Sequence, residues 1–381
     1  MDSLKLPQVD PASPVPRYVQ AKTILIDAIR HGTFPRGSKL PSTGDIGNRI
    51  RVSLLTAHKA IQCLVEEGWL QRERGRGTFV RDDFEERVAA KACYRVGLLI
   101  DPGVQLGDHY HGVLVQGLRE AASTSNPGAE LLIQRQNTPA AIPTLLADGF
   151  ICLHPLREAF ELLEAQADNT PIVVLGGSWR ETTLHCVDSE NVEGARTAVR
   201  HLAELGHREI AIINGRLSAT NSLHRFQGYL AEMQARGLRI RDEYVLNSDR
   251  AEMSAPTKSQ LIELLRSESR PTAIVAAGFY LALEVMEVAR HLGLRIPADL
   301  SLVAFDDAKS SAYLDPPLTT VKQPLEQMAK MAMHRMLSLI EGAKPAPRVQ
   351  VLPTELIVRG STAPPPASGQ NASLHSSETA I

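Results

Sequence analysis

The stretch VSLLTAHKAIQCLVEEGWLQRERGRGTFV, from Val52 to Val80, joins an amphipathic helix to a short hairpin. The apolar residues of its first half recur at the spacing of a helix with one buried face: Ala57, Ala60, Ile61, Leu64 and Val65. Ser53 is placed to cap the first turn of this helix, and Gly68 to end it in a left-handed conformation. After Trp69, alternating residues and a glycine-containing turn predict two short strands.

Positive charge is concentrated on or near the tip of this hairpin, at Arg72, Arg74 and Arg76. A helix beside a basic hairpin suits duplex DNA, with the helix in the major groove and the hairpin along the backbone or in the minor groove. On this stretch alone, an alternative is a hairpin packed on a helix whose arginines only serve solubility.

Two more helices are predicted ahead of this stretch. Residues 17–29 have helical apolar spacing and end at a connection rich in glycine and proline. Ser42 followed by Asp45 forms a capping box that opens a second helix through Ile50. The order helix, helix, turn, helix, hairpin predicts a small, mainly α winged helix-turn-helix domain over residues 16–81.

The charges of the chain are divided unequally. Residues 1–81 hold 13 Lys+Arg against 7 Asp+Glu, a net charge of +6, whereas the remaining 300 residues hold 28 against 36, a net charge of -8. A basic head on an acidic body indicates a polyanionic partner for the head alone.

The composition is that of an ordinary globular protein, with 381 residues, 43% of them apolar and 22% charged. The sequence shows neither a secretory leader pattern nor a long apolar run, so we expect a cytoplasmic protein. Its four cysteines are scattered and form no CxxC pair, so neither disulfides nor structural zinc is expected.

From residue 94 onward, short apolar strands alternate with helical segments, as in YRVGLLID, EIAIING and LSLVAFDD. This alternation predicts parallel sheets covered by helices on both faces. The units are too numerous for one sheet, so we predict a larger α/β domain of two Rossmann-like lobes over residues 94–360. The charged residues 82–93 are expected to be a linker, and residues 361–381, rich in Pro, Ser and Ala, a disordered tail.

Polar residues gather where the predicted strands end, which is where open α/β sheets bind ligands. Carboxylates, an amide, an arginine and aromatic rings suit a small polyhydroxylated molecule. Each residue also has a structural alternative, such as a turn cap for Asp306 and Asp307 or a helix ion pair for Arg225.

The first part of the chain resembles the N-terminal domain of GntR-type bacterial transcription regulators, through GTFPRGSKLPS and the stretch from Val52 to Val80. Where this family frequently has arginine, the chain has Gly44, Leu54 and His58, so base contacts are expected to differ, and Leu54 could meet a thymine methyl. The resemblance implies DNA contacts at one helix start, along the recognition helix and at the wing: Ser42, Thr43, Ser53, Thr56, His58, Lys59, Arg74, Gly75, Arg76 and Gly77.

Residues 94–360 resemble the effector domain of LacI-type regulators, itself similar to type I periplasmic sugar-binding proteins. LGHREIAIING, HRFQGYLAEM, IPADLSLVAFDDAKSSAYLDPPLTTVKQP and LPTELIVRGST carry this resemblance. It implies side-by-side dimers and two lobes linked by three crossovers. The implied lobes are, for the first, about 94–188 plus 322–345 and, for the second, about 189–321 plus 346–358.

The same resemblance implies an effector between the lobes, with Arg225 and Asp306 at positions that hold sugar hydroxyls. The family's frequent Asn-Asp pair is here Gly278-Phe279, and its usual Asp beside Asn191 is Glu190, so an atypical sugar, a derivative or a less polar molecule is expected. The candidate effector contacts are Asp101, Tyr110, Asn191, Arg225, Phe279, Asp306 and Gln323.

A GntR-type head on a LacI-type body is similar to the arabinose-responsive hybrid repressors. The sequence therefore predicts a homodimeric DNA-binding transcription regulator, expected to be a repressor, whose operator affinity is modulated by a sugar-like effector. No catalytic residue, cofactor or metal is predicted. Two alternatives stay open: a small-molecule receptor with weak or lost DNA binding, and an enzyme on the α/β body. The body shows no dinucleotide, P-loop or nucleophile-elbow motif, which argues against the enzyme.

Overall fold

The computed structural model describes residues 6–10, 16–84, 93–101, 107–125, 128–135, 147–168, 170–179, 181–249 and 253–366. They form two units, one mainly within residues 1–93 and the other comprising most of the remaining chain. Each unit has its own apolar core. Within the described residues, no helix combines the length and the apolar character that a membrane span needs.

The first unit is a winged helix-turn-helix, as predicted. Its two strands pair in antiparallel fashion, with Leu70 opposite Val80 and Glu73 opposite Gly77. Its elements in chain order are α1 (Arg17–Arg30), α2 (Thr43–Ile50), α3 (Leu54–Glu66), β1 (Leu70–Glu73) and β2 (Gly77–Val80).

Local capping explains where the helices of this unit begin and end. The Ser42 hydroxyl accepts the backbone N–H of Asp45, and the Ser53 hydroxyl accepts that of Thr56. Each bond satisfies an amide that the first helical turn leaves without a partner. Gly68, at φ +89°, follows the end of α3 in the left-handed region that glycine adopts without steric cost.

The core of this unit extends beyond the predicted domain end. Phe84 is only 5% exposed, and its ring stacks on Trp69 with the centroids 5.2 Å apart. The guanidinium of Arg30 lies over Trp69, and that of Arg36 lies over Phe84. The predicted linker of residues 82–93 therefore gives its first residues to the domain, because burial of an aromatic ring outweighs the charge around it.

The second unit consists of two α/β lobes, which confirms the predicted fold class. Its strands and helices follow in chain order: β3 (Tyr94–Ile100), α4 (His109–Thr124), β4 (Ala129–Arg135), β5 (Gly149–Leu153), α5 (Arg157–Ala167), β6 (Ile172–Leu175), β7 (His185–Ser189), α6 (Asn191–Glu204), β8 (Ile210–Asn214), α7 (Thr220–Ala235), β9 (Val245–Asn247), α8 (Ala255–Arg266), β10 (Ala273–Ala276), α9 (Phe279–His291), β11 (Ser301–Phe305), β12 (Thr319–Lys322), α10 (Leu325–Ile340), β13 (Val349–Leu352) and β14 (Glu355–Ile357).

Each lobe is built on one six-stranded sheet. The first has the order β13-β7-β6-β5-β3-β4 and is parallel throughout. The second has the order β14-β12-β11-β10-β8-β9 and is parallel except for β14, which runs antiparallel to β12. The strands are short and buried because helices cover the faces of each sheet, which explains their continuous apolar runs.

The chain passes between the lobes three times, after β7, after β12 and after β13. One strand differs from the predicted lobe boundaries. Val349–Leu352 pairs in parallel with His185–Ser189 and so extends the first sheet, whereas residues 346–358 were assigned to the second lobe. The four-residue strand fits the edge of either sheet, so its own sequence does not decide which edge it joins.

The end of the second lobe also differs from the prediction of a disordered tail over residues 361–381. Ser361 is fully buried, and its hydroxyl accepts the backbone N–H of Thr319 and donates to the carbonyl of Leu302. The carbonyl of Ala363 accepts from the hydroxyl of Ser301. Residues 361–363 are thus part of the fold, and residues 367–381 lie outside the described residues.

A buried carboxylate links two helices of the second lobe. Glu232 on α7 is 3% exposed and accepts hydrogen bonds from Arg196, Arg200 and Arg236. Burial opposes the ionised form, but the three guanidinium groups outweigh it and lower the pKa of Glu232 below its usual 4.5. Because Arg196 and Arg200 belong to α6, this cluster joins the two helices.

We expect Glu232→Gln to lower the free energy of unfolding by about 1–3 kcal/mol at pH 7, because a neutral amide loses the charge-assisted bonds of a buried site. The lowered pKa means that the stabilisation is present above pH 4.5 and fades as the carboxylate is protonated below it. Urea unfolding at several pH values measures both effects. Glu204→Gln, which removes a 62% exposed partner of Arg236, is the control. An equal loss from the control, or a loss that persists unchanged in acid, would contradict this role.

Candidate functional site

The predicted DNA contacts lie at three places of the first unit. Ser42 and Thr43 are at the start of α2, where the Ser42 hydroxyl also donates to the carboxylate of Asp45 at 2.6 Å. Ser53 and Thr56 open α3, with their hydroxyl oxygens 2.8 Å apart. Both serines therefore have a structural role as caps, and the positive ends of two helix dipoles lie beside them.

Two predicted contacts on α3 are exposed side chains, His58 and Lys59. The ammonium of Lys59 lies 4.0 Å from the ring centroid of Tyr18, so a cation–π contact fixes its position. Sequence reasoning did not consider Leu55, which is 81% exposed beside Leu54, itself 62% exposed. Leu55 falls outside the buried apolar stripe of the helix, and this spacing is the signal that could have singled it out.

The hairpin tip contains the remaining predicted DNA contacts. Gly75 has φ +75° and Gly77 has φ +126°, which are backbone conformations that residues other than glycine rarely adopt. Arg76 forms a 2.5 Å ion pair with Glu73, whereas Arg74 is exposed and has no ion pair within the described part of the chain. The two arginines, equivalent in the sequence, are therefore not equivalent in the structure.

At the carboxyl ends of the strands, the two lobes share a set of hydrogen-bonded residues that we call the cleft network: Asp188, Ser189, Asn191, Arg225, Asp306 and Gln323. Arg225 is 4% exposed and lies at its centre. Its Nε donates to Asn191 and its Nη1 to the carbonyl of Ala277, each at 2.8 Å. Its Nη2 lies 3.8 Å from the Asp306 carboxylate, and its guanidinium stacks over the ring of Phe305.

The cleft network also joins two of the crossings between the lobes. The Ser189 hydroxyl donates to the Gln323 carbonyl oxygen at 2.5 Å, and the Gln323 amide donates to Asp306. Asn191 donates to Asp188 at 3.1 Å. The structure thus brings four predicted effector contacts together, namely Asn191, Arg225, Asp306 and Gln323.

A cluster of aromatic rings, Tyr110, His111 and His154, adjoins the network on the first lobe. The ring of His154 lies 4.7 Å from Tyr110 and 5.4 Å from His111. His111 donates its backbone N–H to Asp108, and its Nδ1 lies 2.7 Å from the same carboxylate. His109 to His111 begin α4, and the Asp108 carboxylate caps it. Within the described ranges, no group of three or more potential ligands could hold a metal ion.

Burial opposes ionisation of the titratable groups at this site. It lowers the pKa of His154 to about 3, with His111 adding to the effect, so the imidazole is neutral at physiological pH. It raises the pKa of Asp188 to about 6 and, together with Asp306 and Asp188, it raises that of Tyr110. The backbone N–H of Gly176 donates to the carbonyl of Val187, the residue before Asp188, and the Gly176 carbonyl contacts His154 Nδ1, so the ring cluster lies beside the cleft network. An uncharged imidazole at this position suits a ligand group held by hydrogen bonds rather than by charge.

Strained backbone also marks this region. His154 has φ +44° and Asp306 has φ +71°, and among the described residues only Arg51 is another non-glycine residue at positive φ. Conformations of this kind persist where the surrounding structure enforces them, and they occur often at ligand sites. His154 was absent from the predicted contacts, although it follows a strand directly, as the selected residues do.

Two predicted contacts belong neither to the cleft network nor to the ring cluster. Phe279 is 8% exposed and belongs to the apolar core of the second lobe. Asp101 is exposed at the end of β3. Their contact with an effector stays a prediction. Asp307, next to Asp306, instead forms a 2.8 Å ion pair with Arg359 and accepts from Thr320, so only one of the adjacent aspartates joins the network.

A main-chain contact joins the lobes in addition to the crossings. The backbone N–H of Arg157 donates to the carbonyl of Ser218 at 2.9 Å, and Leu156 forms an antiparallel bridge with Ala219. Residues 156 and 157 belong to the first lobe and residues 218 and 219 to the second. We refer to this contact as the interlobe bridge.

Two family models match the chain. The model of bacterial regulatory proteins of the gntR family matches residues 17–80. The model of the periplasmic binding protein-like domain matches residues 199–362. The first range coincides with the winged helix-turn-helix, and the second covers most of the second lobe and the final crossings.

Similar proteins of known function include transcriptional repressors. The arabinose metabolism transcriptional repressor of Geobacillus stearothermophilus is 27% identical over 365 residues, covering 91% of this chain and 98% of that protein. The HTH-type transcriptional repressor CytR of Escherichia coli K12 is 27% identical over 324 residues, covering 83% of this chain and 90% of that protein.

Solved structures show the same fold for the body. A LacI-family regulatory protein from Chloroflexus aggregans has a TM-score of 0.63 at 27% identity, covering 71% of this chain and 98% of that one. The lac repressor dimer bound to operator and the anti-inducer ONPF has a TM-score of 0.63 at 25% identity, covering 75% of this chain and 99% of that one. The chain therefore carries a GntR-family helix-turn-helix domain followed by a periplasmic-binding-protein-like domain with the LacI-family fold, which confirms the resemblance drawn from its sequence.

Proposed function

We propose that this protein is a DNA-binding transcription repressor whose operator affinity is set by a small effector held in the cleft network. One observation carries the proposal: a capped recognition helix with a basic hairpin and a buried hydrogen-bonding site between two lobes occur in a single chain. The similar repressors support this assignment, and we propose no catalytic role for the α/β body. The repressor would act in the cytoplasm.

For DNA, we propose that α3 enters the major groove and that the hairpin tip lies along the backbone or minor groove. Leu54 and Leu55 would meet thymine methyl groups, while His58 and Lys59 would contact base edges or phosphates. A homodimer would place two such heads on half-sites about 34 Å apart, or a multiple of this distance.

For the effector, we propose a neutral polyhydroxylated molecule, a sugar or a sugar derivative. Arg225 would donate to its oxygens, Asp306 would accept from its hydroxyls, and the rings beside the network would cover its less polar face. This support comes from the donors and acceptors of the site, and from a relative named for arabinose metabolism.

Coupling between effector and DNA would act through closure of the lobes. The cleft network contains residues of two crossings, so an effector that bonds to Arg225 or Asp306 acts on the segments about which the lobes move. The effector can change DNA affinity only by its differential affinity for the two arrangements of the dimer.

Calorimetric titration of a sugar panel against the protein, with and without its selected operator, tests the proposed function. We expect the operator to change the affinity for the effector by about 5- to 150-fold, and the effector to change operator affinity by the same factor, because the coupling is reciprocal. The operator is first obtained by selection from random duplexes. Equal effector affinities in the two titrations would remove the proposed regulation.

We expect Arg74→Ala to weaken binding to every duplex by a similar factor and to reduce the slope of log affinity against log salt by about 1, because it removes one phosphate contact. Glu73→Gln is expected to strengthen binding, since it releases Arg76 from its ion pair and removes a negative charge from the tip. Binding measured by fluorescence anisotropy at several salt concentrations checks both.

The matched control for the hairpin is Arg239→Ala, at an exposed arginine of the second lobe. It removes the same charge and is expected to leave the salt slope unchanged. If Arg74→Ala and Arg239→Ala have the same slope as the unmodified protein, the hairpin does not face phosphate.

The interlobe bridge can be tested by removing the one backbone N–H that donates across it. Arg157 is the first residue of α5, where proline is tolerated, and Leu156 before it has φ -65° and ψ 156°, which suit a following proline. Arg157→Pro removes the N–H that donates to Ser218, whereas Arg157→Ala keeps it and loses the same side chain. We expect effector affinity to be about 2- to 10-fold lower in the proline variant than in the alanine variant, because closure loses a hydrogen bond. Equal affinities in the two variants would show that the bridge does not stabilise the effector-bound arrangement.

A further inference from the structure

The side chain of His154 has one ring nitrogen with a partner and one without. Its Nδ1 lies 2.8 Å from the carbonyl oxygen of Gly176. Its Nε2 is buried and has no hydrogen-bond partner within the described residues. A carbonyl oxygen can only accept, so Nδ1 carries the proton, and in the neutral ring Nε2 then presents a lone pair.

His154 is fixed in this position by its surroundings. A Cβ on Gly176 would lie 2.8 Å from His154 Nδ1 and 2.8 Å from the hydroxyl oxygen of Tyr110, so only glycine leaves room for both rings. Gly176 itself has φ +79°. Burial lowers the pKa of His154 to about 3, which keeps its ring neutral and Nε2 an acceptor over the physiological range.

A second buried polar atom without a hydrogen-bond partner belongs to the cleft network. Arg225 Nη2 has no hydrogen-bond partner among the described residues, and it lies 3.8 Å from the Asp306 carboxylate. Buried donors and acceptors are almost always paired, because leaving them unpaired costs free energy. The first lobe thus has a buried acceptor, and the second lobe a buried donor, for which the described residues supply no hydrogen bond.

Building on the proposed function above, we infer that His154 determines effector specificity by accepting a hydrogen bond at Nε2 from a hydroxyl or N–H of a neutral effector. Arg225 Nη2 donates to an acceptor oxygen of the same molecule. The effector then bridges the two lobes, since β5 places His154 and α7 places Arg225. A ligand that offers only acceptors leaves Nε2 unpaired and binds weakly.

The test uses a substitution that removes Nε2 while keeping a hydrogen bond to the Gly176 carbonyl, together with a surface control. Asn in His154→Asn tolerates positive φ and can still donate to the Gly176 carbonyl through its amide, but it has no atom at the place of Nε2. His334→Asn, at an exposed position of α10, is the control. The probes are L-arabinose, D-ribose, D-xylose, D-galactose, cellobiose, cytidine and adenosine, followed by the deoxy analogues of the tightest binder.

We expect His154→Asn to lower the affinity for the tightest probe by about 10- to 100-fold, and His334→Asn to leave it unchanged. One deoxy analogue, which lacks the hydroxyl that donates to Nε2, should bind the unmodified protein as weakly as the parent probe binds His154→Asn. The His154→Asn variant should bind this analogue and the parent probe with equal affinity. Equal affinities of the variant and the unmodified protein, or losses that simply add for every analogue, would overturn the inference.

Nitrogen-15 NMR of the unmodified protein decides the same question without relying on a variant that folds. We expect an unprotonated Nε2 in the free protein, with a shift on adding the tightest probe. A protonated Nε2, or a resonance that a bound probe leaves in place, would overturn the inference while the proposed function stands. If no probe binds the unmodified protein, the proposed carbohydrate-like effector is contradicted, and the inference fails with it.

Discussion

The hydrogen bonds of Arg225 are the constraint on which the second unit depends. A guanidinium that is 4% exposed requires partners, and it finds them in Asn191 and in the carbonyl of Ala277. Asn191 belongs to the first crossing between the lobes, and Gln323, bonded to Asp306, belongs to the second. The need to satisfy one buried cation thus ties the candidate ligand site to the segments that cross between the lobes.

Features set by neighbours in the chain were predictable from the sequence. The caps at Ser42 and Ser53, the glycine end of α3 and the alternation of strands and helices all follow from local spacing, and the structure has them. The strand Val349–Leu352 and the ordered residues 361–363 were not predictable, because their positions depend on which distant edge or carbonyl they meet. The burial of Phe84 was not predictable for the same reason, because its partner Trp69 lies fifteen positions earlier in the chain and Phe84 itself stands in a charged segment.

In the candidate site too, some features were predictable from the sequence and others depend on distant residues. Asn191, Arg225, Asp306 and Gln323 were identified through motifs, and the structure brings them together. The sequence could not distinguish Arg74 from Arg76, because the ion pair with Glu73 depends on the register of the hairpin. Nor could it single out His154, whose chemistry comes from the carbonyl of Gly176 and from burial rather than from its own neighbours.

The discontinuous lobes affect the order in which the protein is completed during synthesis. The head is finished once Phe84 has emerged, whereas the first sheet awaits β13 and the second awaits β14 and the buried Ser361. Domains generally fold as units as they leave the ribosome, the N-terminal ones first. A nascent or prematurely ended chain therefore has a complete head but neither of the two lobes that follow it.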